Sequence, residues 1–128
     1  MKKTSAIALI IIIIGVLVAI VVIVEKSGAE KPSQEVLVSF AQCLASKNIT
    51  MYGAQWCSHC QREKSLFGEA FKYVPYIECP ENEKLCLDAG IKGYPTWIDD
   101  SGTKYAGEQG LDGLAKISGC PLLPPETK

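Results

Sequence analysis

Ile49-Thr50-Met51-Tyr52-Gly53-Ala54 leads through Gln55 into Trp56-Cys57-Ser58-His59-Cys60, and 35 positions after Cys60 the chain reaches Pro95 within Tyr94-Pro95-Thr96. The apolar run from 49 to 54 is predicted as a strand. Cys60, Phe67 and Phe71 follow at i, i+7 and i+11, a buried-stripe spacing that predicts a helix from about Cys57 to Tyr73. A strand feeding a helix at Cys57 sets the first sulfur where unpaired backbone N–H groups point, which favours thiolate over thiol. Two intervening residues let the thiols close to a disulfide with little backbone movement. Cys57 is therefore the candidate nucleophile, and Cys60, one turn further in and shielded, the candidate resolving thiol.

Two other readings of Cys-x-x-Cys are half a zinc site and a structural disulfide. A structural zinc site needs four ligands, and no second Cys-x-x-Cys or His-x-x-x-His completes the set. His59 is the only histidine. Placed between the two cysteines, it is a candidate for tuning the Cys57 thiolate by charge or hydrogen bonding. A stabilised reduced form makes the disulfide form oxidising.

Around this motif the punctuation describes one small α/β domain over residues 33–120. Ser33 is predicted to cap a helix carrying Val36, Phe40, Cys43 and Leu44, closed by Asn48. Tyr76-Ile77-Glu78 is the next strand, and a short helix from Asn82 to Ala89 stops at Gly90. Thr96–Asp99 and Thr103–Ala106 form a hairpin around Ser101-Gly102, and Leu111–Ser118 is the last helix before Gly119 and Pro121. The order is α, then βα, βα, ββα, a central mixed sheet flanked by helices. Residues 121–128 read as a loose tail.

The strand, the Trp-Cys-x-x-Cys, the amphipathic helix and Gly93-Tyr94-Pro95-Thr96 together resemble the thioredoxin fold family, here in a minimal form lacking the usual first strand. The resemblance implies that Pro95 is a cis-proline beside the dithiol, and that Tyr94 contacts an extended substrate segment. It is closer still to the thioredoxin-like domain fused to, or partnering, bacterial vitamin K epoxide reductase homologues. That likeness runs from about Phe40 to Gly119 and includes Met51-Tyr52-Gly53-Ala54, Leu66-Phe67-Gly68, Val74-Pro75-Tyr76, Gly90-Ile91 and Tyr94-Pro95-Thr96-Trp97. Ser58 departs from the proline common in that motif. With no four-helix reductase domain before the module, such a partner is expected to be a separate chain. Thioredoxins and disulfide isomerases carry a buried carboxylate six residues before the first active cysteine, where it helps deprotonate the second. Here that position is Met51, which removes the relay and favours the reductase-associated subgroup.

The N-terminus suggests where the chemistry takes place. Ala6 to Val24 is an unbroken stretch of 19 residues without a polar side chain, preceded by Lys2 and Lys3. As a helix it spans roughly 28 Å, close to a bilayer's hydrocarbon core. A signal anchor over 6–24 is expected, with residues 1–5 cytoplasmic by the positive-inside rule and the rest of the chain extracytoplasmic. A cleaved signal peptide is the alternative, since Ser27-Gly28-Ala29 offers small residues, but the apolar core is long for one. Residues 25–32 read as a linker.

Six cysteines, all outside the anchor, suit an oxidising compartment. Apart from the active pair, Cys43, Cys79, Cys86 and Cys120 allow three connectivities. Six intervening residues with a helix turn can bring Cys79 to Cys86, and the reductase-associated domains carry a disulfide in this region; Cys43 with Cys120 would then follow by elimination. A net charge of −1 without a basic patch argues against a nucleic-acid partner. Trp56, Tyr94 and Trp97 cluster near the two motifs as a potential collar for unfolded chains, although a Trp at a strand position such as 97 is more often core.

The expected protein is thus a membrane-anchored, extracytoplasmic thiol-disulfide oxidoreductase without a bound cofactor or metal. It would oxidise exported thiol proteins and, by the resemblance, be reoxidised by a membrane reductase homologue with a quinone. The alternatives are a reductant or isomerase, as in cytochrome c maturation, and a metal-binding module using Cys57, His59 and Cys60.

Overall fold

In the computed structural model, residues 2–25 and 31–122 are described, with side chains described for 6–21 and 31–122. The chain divides into two units, Met1–Lys31 and Pro32–Lys128. The first holds helix α1, Lys2–Glu25, whose side chains from 6 to 21 are all exposed. Among the described residues no helix is long and apolar enough to cross a membrane. Those side chains cover sixteen positions, fewer than the 19 of the sequence stretch, and residues 22–24 lie outside them. Most of the expected linker (residues 26–30) and of the tail (residues 123–128) also lies outside the described residues.

The second unit contains the expected order. Helix α2 is Gln34–Ser46, strand β1 Thr50–Gly53, helix α3 Ser58–Phe67 and strand β2 Tyr76–Glu78; then come helix α4 Glu83–Asp88, strands β3 Thr96–Ile98 and β4 Lys104–Ala106, and helix α5 Gly110–Ser118. The sheet order is β2-β1-β3-β4. β1 runs parallel to β2, with Met51 opposite Tyr76 and Gly53 opposite Glu78, and antiparallel to β3, with Tyr52 opposite Thr96. The central strand β1 thus delivers the Cys-x-x-Cys at its C-terminal end, next to the start of β3.

Ser33 caps α2, its hydroxyl accepting from the Val36 N–H at 3.4 Å, and Val36, Leu37, Phe40, Ala41 and Leu44 are buried. Phe67 joins the layers: its ring stacks on Phe40 at 5.9 Å between centroids and lies 6.4 Å from Trp97. Burying a side chain of this size stabilises the fold by about 1.5–3 kcal/mol.

The structure corrects one long element. The helix expected from Cys57 to Tyr73 ends at Phe67, and residues Gly68–Tyr73 continue as a 3₁₀ helix. Gly68 has φ +54, a left-handed value that stops α-helical propagation. Phe71 is therefore only partly buried, although its ring still meets Phe67 at 6.0 Å. The hairpin strands are each one residue shorter than expected at the turn. There Asp99 Oδ1 accepts from the Ser101 and Thr103 N–H groups, both at 2.9 Å, while the Asp99 N–H still donates to the Thr103 carbonyl at 3.1 Å, so one of the two ladder bonds of that pair is diverted to the side chain.

Candidate active site

Cys57 is the N-cap of α3, and its sulfur accepts from the Cys60 N–H at 3.3 Å. On its other side the thiol reaches the carbonyl oxygen of Tyr94 at 3.7 Å. The Tyr94–Pro95 peptide is cis, and Pro95 is fully buried beside the dithiol. Both Cys57 and Cys60 are free thiols. Cys57 retains 8 % exposure and Cys60 none, so the two sulfurs differ in access. Burial, followed by the hydrogen bond and charge of Cys57, pushes the Cys60 thiol up to about 12; the Ala54 backbone and Lys64 act against that shift. One sulfur is reachable at a helix N-terminus, while the other is held as a thiol beneath it.

No protein-family model matches the chain. It is 40 % identical over 106 residues to the thiol-disulfide oxidoreductase LTO1 of Arabidopsis thaliana, covering 76 % of this chain and 28 % of that protein. Over 101 residues it is 35 % identical to a thioredoxin domain-containing protein 5 homolog of Drosophila melanogaster, covering 66 % and 24 %. A protein disulfide isomerase-like 2-2 of Oryza sativa subsp. japonica matches at 30 % over 82 residues, 54 % and 22 %. The chain thus spans about a quarter of the length of the curated relatives it matches.

The domain is thioredoxin-like.

Around the dithiol of this thioredoxin-like domain the structure sorts the other sequence candidates. Trp56 stands 72 % exposed and meets Tyr94 edge-on at 6.0 Å, forming an aromatic rim above Cys57. Trp97 is not in that rim: it is fully buried in the core. Trp56 and Tyr94 also line a groove with Pro80, Glu83, Leu87 and Ile91, floored by Cys79 and Cys86. Those two cysteines are bonded to each other, and Cys43 is bonded to Cys120, tying α2 to the segment after α5. His59 turns its Nδ1 to Glu108 Oε1 at 2.5 Å, with the Arg62 guanidinium 2.6 Å from the same nitrogen. Arg62, then His59, hold the Glu108 carboxyl below its usual range. The histidine is thus engaged by a carboxylate that sequence spacing did not bring near it.

Four further residues escaped the sequence reading. Glu63 is fully buried, accepting from Trp97 Nε1 at 3.1 Å and from the Gln109 and Gly110 N–H groups at 3.0 and 3.1 Å. Its place on the Cys60–Glu63–Phe67 stripe at i, i+3, i+7 was the available signal, because a charge on a buried face requires partners. Tyr76 and Glu78, two apart on β2, are hydrogen-bonded to each other through the Tyr76 hydroxyl. Lys64 places its Nζ 3.5 Å from the centre of the Tyr76 ring. Met51, the residue at the position of the family's buried carboxylate, is fully buried in the core. Among the described residues no three His, Cys, Asp or Glu side chains converge as a metal site.

Proposed function

We propose that this chain is a membrane-anchored, extracytoplasmic thiol-disulfide oxidoreductase that passes its Cys57–Cys60 disulfide to exported proteins. The observation that carries the activity is the position of the Cys57 sulfur, at the N-terminus of α3 and 3.7 Å from the carbonyl of the residue before the cis-proline. A substrate thiolate attacks Cys57 Sγ, the Cys57–Cys60 bond breaks, and the electron pair leaves on Cys60. The substrate's second thiolate then displaces Cys57 from the mixed disulfide. Two electrons and two protons end on the protein dithiol, and the substrate keeps the disulfide. Tyr94, cis-Pro95 and the exposed Trp56 would bind the substrate segment, with His59 tuning Cys57 from its contact with Glu108. The activity in the names of the curated relatives supports this reading.

The anchor reading is supported by residues 6–21 of α1, which are apolar or glycine around the whole helix and exposed throughout. A helix apolar on every face needs an apolar environment, and the stretch 6–24 is long enough for a bilayer. Lys2 and Lys3 would keep the N-terminus cytoplasmic. A membrane reductase homologue of the vitamin K epoxide reductase type, using a quinone, would return the dithiol to the disulfide.

The deciding experiment is the potential of the Cys57, Cys60 pair in the full chain in detergent, equilibrated against glutathione, with labelling at the other four cysteines followed separately. A value of about −120 to −180 mV is expected for a disulfide donor, whereas about −270 mV would mean a reductant and overturn the direction.

A further inference from the structure

Passing on the disulfide requires Cys60 to leave from Cys57, and a buried thiol pushed up to about 12 is a poor leaving group unless a proton reaches it as the bond breaks. The residue at the position of the family's proton-carrying carboxylate is Met51. Among the described residues Glu63 is the one fully buried carboxylate, and its oxygens are occupied by Trp97 of β3 and by the Gln109 and Gly110 N–H groups at the start of α5. On the opposite side of Cys60 the picture differs. A Cβ added at Gly53 would lie 2.9 Å from Cys60 Sγ and 3.4 Å from the Tyr76 hydroxyl oxygen, so the thiol and the phenol both border the position that Gly53 leaves without a side chain. That hydroxyl bonds to Glu78, whose other oxygen accepts from the Gln55 N–H at 2.8 Å. Tyr76 and Glu78 are both only partly buried, which leaves the carboxylate within reach of water.

We propose that Tyr76 and Glu78 form the proton relay of Cys60, entering from β2 where thioredoxins use a carboxylate on the strand before the dithiol. The inference rests on the oxidoreductase reading and deepens it. As the substrate thiolate bonds to Cys57, the electron pair of the broken bond stays on Cys60 Sγ. Glu78 takes up a proton from water and passes it to the Tyr76 oxygen as the Tyr76 hydroxyl protonates that sulfur, and Glu78 returns to the carboxylate that accepts from Tyr76. In the reverse reaction the same path removes the proton. The structure has the arrangement left after transfer: two free thiols, and a Tyr76 hydroxyl donating to Glu78. Lys64, one turn after Cys60, lies over the Tyr76 ring and favours negative charge on the sulfur, while burial and the bond to Glu78 keep the Tyr76 hydroxyl protonated well above its usual range, so the phenol passes a proton without resting as phenolate. Among the described residues, the titratable and charged groups acting on Cys60 are Cys57 and Lys64, with Tyr76 acted on by its charge in turn and Glu78 behind Tyr76. Lys64 and Gly53 are positioning residues, one by charge and the other by leaving the gap open.

The test uses the full chain in detergent micelles, oxidised at Cys57 and Cys60, and follows its reduction by a peptide dithiol by stopped flow. Glu78→Gln and Tyr76→Phe are each expected to slow this step about ten- to a hundredfold. The double variant should be no slower than the worse single one, because the two residues act as a unit. Alkylation of Cys57 in the reduced variants should stay within about twofold of the parent, showing an intact site. Imidazole added at constant pH should accelerate Glu78→Gln and leave the parent unchanged, which loss of a merely structural contact would not produce. Tyr76→Phe keeps the ring and serves as the test if Glu78→Gln misfolds. Reduction within twofold of the parent in either folded variant overturns the relay while the oxidoreductase reading stands; a parent that exchanges no disulfide overturns both.

Discussion

The indole nitrogen of Trp97 donates to Glu63 Oε1 at 3.1 Å, with both side chains fully buried. The same carboxylate accepts the Gln109 and Gly110 N–H groups, so one charge on α3 holds β3 and the start of α5. A carboxylate at a helix N-terminus is favourably placed against the helix dipole. Glu63→Ala strands one buried donor, the Trp97 indole N–H, and two partly buried ones, and an expected loss of about 3 kcal/mol follows. Urea unfolding of the variant should show a lower midpoint with the slope unchanged; a midpoint equal to the parent's would remove Glu63 from the stabilising core.

Cys57→Ser is expected to abolish disulfide exchange, while Cys60→Ser leaves Cys57 to form mixed disulfides that nothing resolves. Mass spectrometry of cells expressing each variant under non-reducing conditions checks this. Adducts on Cys57→Ser and none on Cys60→Ser would reverse the two roles.

The two disulfides should differ in worth because they close loops of different length. Sequence separations are 77 for Cys43–Cys120 and 7 for Cys79–Cys86. In the chain-entropy model they stabilise by about 4–5 and about 2–3 kcal/mol respectively. Denaturation of the Cys43→Ala/Cys120→Ala and Cys79→Ala/Cys86→Ala proteins is expected to rank them in that order, and the reverse ranking would mean that native-state strain or residual unfolded structure outweighs loop entropy.

At pH 7 to 8, iodoacetamide should label Cys57 alone of the pair, since burial keeps Cys60 protonated. Stability follows from the same shift. The unfolded thiol ionises near 9.0 and the folded one only near about 12, so over that window the folded state binds the extra proton. Stability is fully present below the unfolded value and falls as pH rises from 9 towards 12. Comparing the alkaline slope of the parent with that of Cys60→Ala measures it; equal slopes would show that Cys60 is not held protonated.

Much of the fold was legible because its signals are local. The α2 stripe, the Ser33 cap, the strand before Cys57 and the Gly119 stop are each written within a dozen residues, and each element forms where the pattern puts it. The helix expected through Tyr73 failed at Gly68, where apolar periodicity continued across a residue whose backbone turns left-handed. Trp97 was ambiguous between rim and core, because alternation along β3 does not say which face of the sheet is covered.

The sequence by itself determined that a dithiol sits between a strand and a helix, that a Tyr-Pro follows at a distance, and that an apolar segment precedes the domain. Spacing and periodicity are properties of the chain, and elementary physics turns them into elements. Only the tertiary structure decided which distant groups meet these elements: Tyr94 against Cys57, Glu108 against His59, Glu63 against Gly110, and Tyr76 with Glu78 beside Cys60. Those pairs are set by strand order and by which faces pack together, and partners of Cys57, His59 and Glu63 lie 37 to 49 residues away in the chain. At such separations no local pattern carries the information, and the cost of closing the loops is met by the core as a whole.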